Sequence, residues 1–395
     1  MPWNILVSSF LLAFAMLSQT FAVPPMEHIL KEQLSLTHAQ TSLLFTGPII
    51  MIVIIGIPAG LLSDRIGARR AAGIGAIILA VGAILRGTAH SAETLLAFTI
   101  IYGIGAGWAS PNLAKLVSTW IPREKAGIAT GVYSAGMGLG NALGLAITMP
   151  LIFPITNNYQ GVFFIWSIPP VIAAIAWWLL VKEPPHHRTN ETGVRQSNIQ
   201  FRRVLSNRSL WLAFTIFLLH NFFFFAWAGW VPTLLGTKGA TSGWAGFITS
   251  VSILAGIPAI FLMPRWSYKL GLRKPFLWVP SIVLVLANVA VLYVNLSISW
   301  LIMAIAGIAN ATRFTTTLAL PVELLPKEDV GTASGLLLTA QIGGIIGSWL
   351  GGRILDVTGR LDLAFFLLAG ISLATAGIVF MLPETGSKPK TGLDF

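Results

Sequence analysis

The chain has 395 residues, of which 55% are apolar and 10% are charged, and it carries a formal net charge of +11. A soluble protein of this length needs about a quarter of its residues charged, so this composition excludes an ordinary soluble globular fold. The sequence contains no cysteine, which excludes disulfides and thiolate metal sites and says nothing about the redox compartment.

Apolar runs long enough to cross a bilayer, about 20 residues each, recur along the whole chain. Lipid offers the backbone no hydrogen-bond partners, so a spanning segment must be a helix or part of a closed barrel. The runs are continuous rather than short and alternating, which predicts helices. We predict an all-α membrane protein with twelve transmembrane spans, at residues 4–23, 40–62, 71–90, 93–120, 127–150, 161–181, 209–235, 243–264, 275–295, 298–321, 331–353 and 362–382.

The first span ends near Thr20-Phe21-Ala22, which loosely fits a signal-peptide cleavage site. No Lys or Arg precedes its apolar run, and removal of the segment would leave an odd number of spans. We therefore expect it to remain as span one.

The basic residues are distributed unevenly between the two sides. With the N-terminus placed in the cytoplasm, the outer side holds five of the 25 Lys and Arg residues, namely Lys31, Arg86, Lys238, Arg353 and Arg360. Two more, Lys115 and Arg313, fall inside spans, which leaves eighteen for the cytoplasmic side. This excess predicts a plasma (inner) membrane protein with both termini cytoplasmic. The net charge is thus mainly a topology signal, and we expect no nucleic-acid partner.

The polar stretch 182–208 separates two sets of six spans, residues 1–181 and 209–395. The two sets repeat, because residues 121–131 (IPREKAGIATG) match residues 325–335 (LPKEDVGTASG) at an offset of 204. The same offset places Gly67 on Gly271. Two pseudo-symmetric six-helix halves in parallel repeat predict a substrate site near the bilayer midplane where the halves meet.

Between spans two and three the sequence reads GLLSDRIGARR, residues 60–70. This segment resembles the loop signature of the major facilitator superfamily, which has a glycine, Asp-Arg, a second glycine and a basic pair. The resemblance covers essentially the whole chain through topology, repeat and loop spacing. It implies a secondary transporter that works by alternating access, and not an enzyme. The alternative is a simple positively charged cytoplasmic loop.

We assign gating roles to this segment. Gly60 is expected to let neighbouring helices approach closely, and Gly67 to permit a tight turn. Asp64 is expected at the N-terminal end of span eleven, where a carboxylate is favoured. Three basic residues can pair with acids or face anionic lipid: Arg65, Arg69 and Arg70.

The second half lacks a full copy of the motif. Tyr268 and Lys269 stand where the Asp-Arg pair would repeat. We therefore expect its gate to use another pair, Glu323 with Arg273 or Lys274.

Other family patterns are partial. Thr99 stands four residues before Gly103, where many proton-coupled antiporters carry an arginine, and this weakens a drug/proton antiport interpretation. Residues 331–342 are similar to span eleven of the choline- and haem-carrier branch. Residues 136–144 are similar to that branch and to nitrate and cyanate porters.

Arg313 lies about 20 Å from Pro326 if the segment is helical, which is near the middle of the bilayer. Asn310 and Thr317 share its helix face. All fourteen acidic residues can be placed outside the span centres, so no carboxylate is expected beside it. A charge inside the membrane marks a pathway by default, and we predict that Arg313 holds a carboxylate or similar anion. The alternative is a structural arginine bonded to carbonyls or hydroxyls.

Lys115 lies about 10 Å from Pro122 and shares a stripe with Asn112. It either offers a second anion contact or extends to the membrane surface. Three further polar residues in apolar spans are candidate substrate contacts, each with an alternative role in bonding helices together: Gln19, Asn141 and Gln341.

Span seven carries His220 and Asn221 at its middle, and Phe224 and Trp227 continue the face of His220. These residues predict an aromatic wall for an organic substrate, with His220 as a hydrogen-bond donor or proton carrier. The alternative is an aromatic stripe that packs in the core or faces lipid.

The sequence therefore favours a monomeric secondary active transporter of a small organic or inorganic anion, without a cofactor or a metal. A second hypothesis is a carrier of a cationic or zwitterionic solute, such as a choline-like amine, through an aromatic cavity. A third is a non-transporting receptor or scaffold, which a long soluble tail would support.

Overall fold

The computed structural model describes residues 3–120, 126–182, 203–326 and 329–386. The regular elements in these ranges are helical. In chain order, the α-helices with both ends described are α1 (Trp3–Phe21), α2 (Glu27–Leu34), α3 (His38–Ile66), α4 (Ala68–Gly87), α5 (Ala92–Trp120), α6 (Ala126–Ile147), α7 (Phe153–Thr156), α8 (Tyr159–Leu180), α9 (Arg208–Thr237), α10 (Ser242–Leu270), α11 (Pro275–Tyr293), α12 (Leu296–Leu324), α13 (Val330–Thr339), α14 (Ile342–Thr358) and α15 (Leu361–Met381).

Within the described residues, twelve helical segments are long and apolar enough to cross a membrane. The predicted all-helical, twelve-span membrane fold is therefore confirmed. Three spans are built from two helices each: span one from α1 and α2, span five from α6 and α7, and span eleven from α13 and α14.

Proline lies at two of these three interruptions. Pro24 and Pro25, which lack a backbone donor, lie in the 3-10 turn before α2. Pro150 lies in a π turn, Thr148–Ile152, between α6 and α7. In span eleven, Gly343 follows the break and packs against the carbonyl oxygen of Leu218 in α9, where a Cβ would collide.

The helix bounds follow the offset of 204 residues found in the sequence. α3 and α10 begin at 38 and 242 and end at 66 and 270, and α5 and α12 begin at 92 and 296 and end at 120 and 324. Gly67 and Gly271, which the offset pairs, both have positive φ, 89° and 63°. The tight turn predicted at Gly67 is thus present, because residues with a Cβ are strained there.

The described residues form two compact units. The first takes its residues from 1–187, 228–254 and 348–359, and the second from 188–227, 255–347 and 360–395. The core of the first unit joins α1, α4, α5 and α8, and includes Leu12, Leu79, Tyr102 and Trp177. The core of the second unit joins α9, α11, α12 and α15, and includes Phe217, Leu277, Leu320 and Val379. The sequence division at residues 182–208 stays a prediction.

Glycines bring α1 and α6 together in the first unit. Gly136, Gly140 and Gly144 lie four residues apart and share one face of α6. A Cβ on each would lie 2.5 Å from a carbonyl oxygen of α1, belonging in turn to Phe10, Phe14 and Ser18. Such an approach is open only to glycine, and van der Waals packing of this kind holds helices together in lipid.

Asp356, near the end of α14, caps the N-terminal end of α3 in the first unit. Its two carboxylate oxygens accept hydrogen bonds from the N–H groups of His38 and Ala39, both at 2.9 Å. Thr37 and Gln40 add a capping box at the same end. A negative charge is favoured there by the unpaired N–H groups and the helix dipole. The cap therefore ties α14 to α3.

A polar cluster lies beside this cap. Nδ1 of His38 is 2.5 Å from Oε1 of Glu27, and Nε2 of His38 is 2.6 Å from Nζ of Lys31. The Trp230 ring stands edge-on to the imidazole at 6.1 Å. The cluster fixes α2 against the start of α3. Lys31 was predicted outside the spans, but it lies in α2, within the first helical segment long and apolar enough to cross a membrane, and it has a specific partner there.

We expect Asp356→Asn to lower the free energy of unfolding by about 1–2 kcal/mol, because the amide loses the charge and one of two acceptor oxygens. The measurement is the thermal unfolding midpoint of the purified protein in one detergent. Asp362→Asn is the matched control, because Asp362 pairs with an exposed Arg360 at the start of another span. The cap is without energetic value if the two variants unfold at the same temperature as the wild type.

Candidate functional site

Arg313 lies in α12, about 16 Å from the C-terminal end of the helix at a rise of about 1.5 Å per residue. Its side chain is fully buried in the second unit. Nε donates to Nδ1 of His220 at 3.2 Å, and the guanidinium carbon lies 5.2 Å from the centre of the Phe223 ring. Both Nη groups are buried, and neither has a hydrogen-bond partner among the described residues.

No carboxylate of the described residues lies within ion-pair distance of Arg313; their ion pairs with Arg or His are His38–Glu27, Arg203–Asp329, Arg273–Glu323 and Arg360–Asp362. The guanidinium is thus a buried charge with two unused donor groups. Such an arrangement is costly unless a ligand or water supplies the missing acceptors.

His220 in α9 lies in a row of aromatic rings. Its imidazole is parallel to the Phe217 ring at 5.9 Å and 5°, and to the Phe224 ring at 6.4 Å and 3°. Phe314 of α12 approaches it at 5.5 Å. The rings from Phe217 to Phe224 therefore share one face of span seven, and Arg313 bonds to His220 at the middle of this row.

Two predicted neighbours of Arg313 lie one helical turn away on either side. The side-chain oxygen of Asn310 is buried and has no hydrogen-bond partner among the described residues. The hydroxyl of Thr317 donates to the backbone carbonyl of Arg313 at 2.7 Å. Asn310 therefore has a free acceptor, whereas the proton of Thr317 is already used.

The other predicted contacts of the second unit are engaged elsewhere. Nδ2 of Asn221 donates to the carbonyl of Phe217 at 2.7 Å, within its own helix. Trp227 stacks on Phe223 at 5.2 Å. Gln341 is half-buried at the break between α13 and α14. The described contacts give none of the three a direct bond to Arg313, and their roles in binding stay predictions.

Polar groups of the first unit also lack partners. The side-chain oxygens of Asn112 and Asn141 are buried and have no hydrogen-bond partner among the described residues, and neither has the indole Nε1 of Trp108. Nδ2 of Asn112 donates to the carbonyl of Trp108 at 2.8 Å. These polar atoms have no described partner, and the predicted roles of the two asparagines as substrate contacts stay predictions.

Lys115 is half-buried about 8 Å from the end of α5, and its Nζ donates to the hydroxyl of Ser63 at 3.1 Å. That hydroxyl in turn donates to the carbonyl of Gly60 at 2.7 Å. Lys115 therefore contacts the 60–70 motif, and its role as an anion contact or as a side chain that extends to the membrane surface stays a prediction. A Cβ placed at Gly60 meets no described atom within 4 Å, so the described residues show no close helix approach there, and the gating role of Gly60 stays a prediction.

Gln19 uses its whole amide inside the first unit. Its Nε2 donates to the carbonyls of Ala83 and Phe163 at 3.1 and 2.9 Å, and its Oε1 accepts from Arg86 at 3.2 Å. Both N–H donors of Gln19 are therefore used within the protein, and its oxygen already accepts from Arg86. The contacts favour the alternative role, in which the amide joins α1, α4 and α8.

Arg86 differs from the sequence expectation. It was placed among the charges of the outer side, yet its side chain is fully buried. Its guanidinium carbon lies 4.4 Å from the centre of the Phe163 ring and 5.4 Å from that of Tyr102. Arg86 falls inside predicted span three, and this position was the signal for burial. Aromatic faces and Gln19 satisfy the cation where no water reaches.

The remaining motif residues lie at the junction of α3 and α4. Arg69 donates to the carbonyls of Val181 and Trp178, at 2.5 and 3.3 Å, and lies over the Trp178 ring. Arg65 and Arg70 are exposed. The side chain of Asp64 lies outside the described part of the structure, so its predicted position near span eleven stays a prediction.

The pair predicted for the second half is present. Nε of Arg273 donates to Glu323 at 2.7 Å, and Glu323 also accepts from Thr385 at 2.6 Å. Glu384 accepts from the backbone N–H groups of Arg273 and Lys274. The Arg273–Glu323 ion pair therefore joins α12 to the start of α11, and its gating role stays a prediction.

A surface hollow of about 560 Å³ lies in the first unit at the π turn and the start of α10. It is lined by Met149, Pro150, Thr241, Ser242, Gly243, Trp244 and Phe247. This lining carries no charged group, so the hollow does not resemble an anion site.

A sequence model of the Major Facilitator Superfamily matches residues 8–341 and 239–394, which together cover nearly the whole chain. The chain belongs to this superfamily, as the motif at residues 60–70 and the twelve spans predicted. It is therefore a multi-pass membrane transporter and not an enzyme.

Two relatives and one solved structure illustrate its place in the superfamily. The hexuronate transporter of Bacillus subtilis (strain 168) is 25% identical over 398 residues, 92% of this chain and 90% of the relative. The cyanate transport protein CynX of Escherichia coli (strain K12) is 24% identical over 361 residues, 89% and 90% of the two chains. A crystal structure of a D-xylose-proton symporter has the same fold, with a TM-score of 0.81, 16% identity and coverage of 98% and 99%.

We expect Arg86→Lys to destabilise the protein by about 1.5–3 kcal/mol, because an ammonium cannot both stack on the two rings and reach Gln19. The measurement is the thermal unfolding midpoint, with Arg353→Lys, an exposed arginine of the same unit, as the control. The double variant Arg86→Lys, Gln19→Leu should lose less than the sum of the single changes. Unchanged stability with abolished uptake would instead make Arg86 a pathway residue.

Proposed function

We propose that this protein transports a small organic or inorganic anion by alternating access. The observation that carries the proposal is the fully buried guanidinium of Arg313, whose two Nη groups have no partner among the described residues. An arginine remains charged in a protein, so it cannot lower the cost of burial by losing its proton. An anion supplies both the opposite charge and the missing acceptors.

The geometry of the guanidinium favours a particular kind of anion. Its two Nη groups present parallel donors that match the two oxygens of a carboxylate. Nε is already bound to His220, so the outer edge of the fork is the part left for a ligand. The free oxygen of Asn310 can accept from a hydroxyl of the same substrate.

The relatives support an anionic substrate class without naming the substrate. A hexuronate carries one carboxylate on a polyhydroxylated body, and cyanate is a small inorganic anion. The two differ greatly in size but share the negative charge. Arg313 is suited to recognise this shared feature.

The amine-carrier alternative is less well supported. A cation on the aromatic face of α9 would approach the guanidinium of Arg313, which already covers the ring of Phe223. Like charges in a buried site repel strongly. We therefore keep amines as negative controls in the experiments.

We infer that both termini are cytoplasmic, because eighteen of the 25 basic residues then lie on that side. Single cysteines placed at Thr88 and Lys238, in a chain without native cysteine, should react with a membrane-impermeant maleimide on intact cells. A cysteine at Ser206 should react only after the cells are opened. The reverse labelling pattern would show that both termini lie outside the cytoplasm.

We expect Arg313→Gln to weaken anion binding about ten- to hundredfold, which corresponds to the loss of a charge-assisted contact of about 1.5–3 kcal/mol. Arg313→Lys should fail as well, because a point charge does not replace a planar fork. The measurement is the thermal shift of purified protein with glucuronate and cyanate, with glucose and choline as controls, followed by uptake into proteoliposomes.

Arg265→Gln is the matched control, because Arg265 is an exposed arginine of the same unit. The stability of Arg313→Gln without ligand should equal or exceed that of the wild type, since an unpaired buried charge is removed. A folded Arg313→Gln protein with normal anion uptake would refute the proposal. A misfolded one would return Arg313 to a structural role.

A further inference from the structure

The hydrogen bond between Arg313 and His220 fixes the protonation state of the imidazole. A guanidinium has donors and no acceptor, so Nδ1 of His220 must be the acceptor and carries no proton. The distance between Nε and Nδ1 is 3.2 Å. His220 is therefore neutral here, with its proton on Nε2.

A second proton on His220 would turn this contact from attractive to repulsive. Two cationic N–H groups would then face each other at 3.2 Å, and the side chains are 2% and 0% exposed. Like charges in a buried site disfavour one another strongly.

Few other groups influence whether His220 is neutral or protonated. The described contacts of the imidazole are with Phe217 and Phe224 from its own helix and with Arg313 and Phe314 from α12. Of these four residues Arg313 alone is charged. The charge on His220 is therefore governed by Arg313 and by any acceptor that binds to the Nη groups of Arg313.

An anion at Arg313 offsets the positive charge that acts on His220. With a carboxylate on the guanidinium, a protonated His220 has a negative neighbour as well as a positive one, and Nδ1–H gains an acceptor. Anion binding then favours the proton, and by thermodynamic reciprocity the proton favours the anion to the same extent. Histidine is suited to this because its ordinary titration lies near neutral pH.

We propose that His220 is the proton-binding site that couples transport to protons, so that one proton travels with each anion. The inference rests on the proposed function. On loading, the bond from Arg313 Nε to His220 Nδ1 breaks, an N–H bond forms at Nδ1 with a proton from that side of the membrane, and the anion accepts from both residues. On release, Nδ1 loses the proton to the other side and the bond to Arg313 re-forms. For a monoanion the cycle moves no net charge.

The test is titration calorimetry of glucuronate and cyanate into the purified protein at pH 8, in two buffers that differ in ionisation enthalpy. The difference in heat gives the number of protons bound per anion. We expect about one proton per anion in the wild type, because an unprotonated histidine is the main form at this pH before the anion binds, and the proposal gives His220 a proton once the anion is bound. The affinity should fall about tenfold per pH unit between pH 7 and pH 9.

His220→Asn is the informative variant, because its Oδ1 can replace Nδ1 as the acceptor for Arg313 without binding a proton. It should bind the anion with no proton uptake and with an affinity independent of pH. If the His220→Asn protein does not fold, His220→Gln is used in its place. His90→Gln is the control, because His90 is exposed and should leave the proton count unchanged.

The outcomes separate this inference from the function on which it rests. Anion binding with one proton in the wild type and none in His220→Asn supports both. Anion binding without proton uptake in the wild type, or with equal uptake in His220→Asn, overturns the inference and leaves anion transport standing. Absence of binding to either anion, with Arg313→Gln indistinguishable from the wild type, overturns both.

Discussion

The guanidinium of Arg313 is a positive charge that the described part of the chain buries without a carboxylate. Its Nε is held by a neutral histidine, its face lies over a phenylalanine ring, and its two Nη groups are left without acceptors. Burying such a charge costs several kcal/mol in a low-dielectric interior, so the fold tolerates it only where the cost can be offset. In the proposed mechanism a permeating anion offsets this cost during transport, and the proposed protonation of His220 depends on the same charge balance.

Arg86 shows what a structural arginine looks like in the same protein. It is as deeply buried as Arg313, but two aromatic rings flank it and Gln19 and the carbonyl of Leu44 accept from its Nη groups. Only its Nε lacks a partner among the described residues. The contrast lies in the surroundings rather than in residue type, since both Nη groups of Arg86 have acceptors and neither Nη group of Arg313 has one among the described residues.

A transporter that works by alternating access needs some helix contacts that hold and others that can separate. Lipid removes the hydrophobic drive between helices, so contact depends on close packing of small residues and on a few polar bonds. The glycine stripe of α6 provides permanent packing against α1. The Asp356 cap on α3 is of another kind, because a carboxylate on two N–H groups can be exchanged for water at a modest cost. It joins segments that lie in different halves of the sequence repeat.

The sequence by itself determined the twelve helical spans, the 204-residue repeat, the turn at Gly67 and the intramembrane position of Arg313. Each depends on local properties: the length of an apolar run, the spacing of glycines, or a charge among apolar neighbours. It could not show that Gln19 is fully bonded, that Lys115 contacts Ser63 or that Asp356 caps α3, because each partner lies far away in the chain. It also counted Arg86 as an outer charge, although aromatic rings from α5 and α8 enclose it. Only the tertiary structure decided which buried polar groups are satisfied, since hydrogen bonding depends on distances between helices and not on their composition.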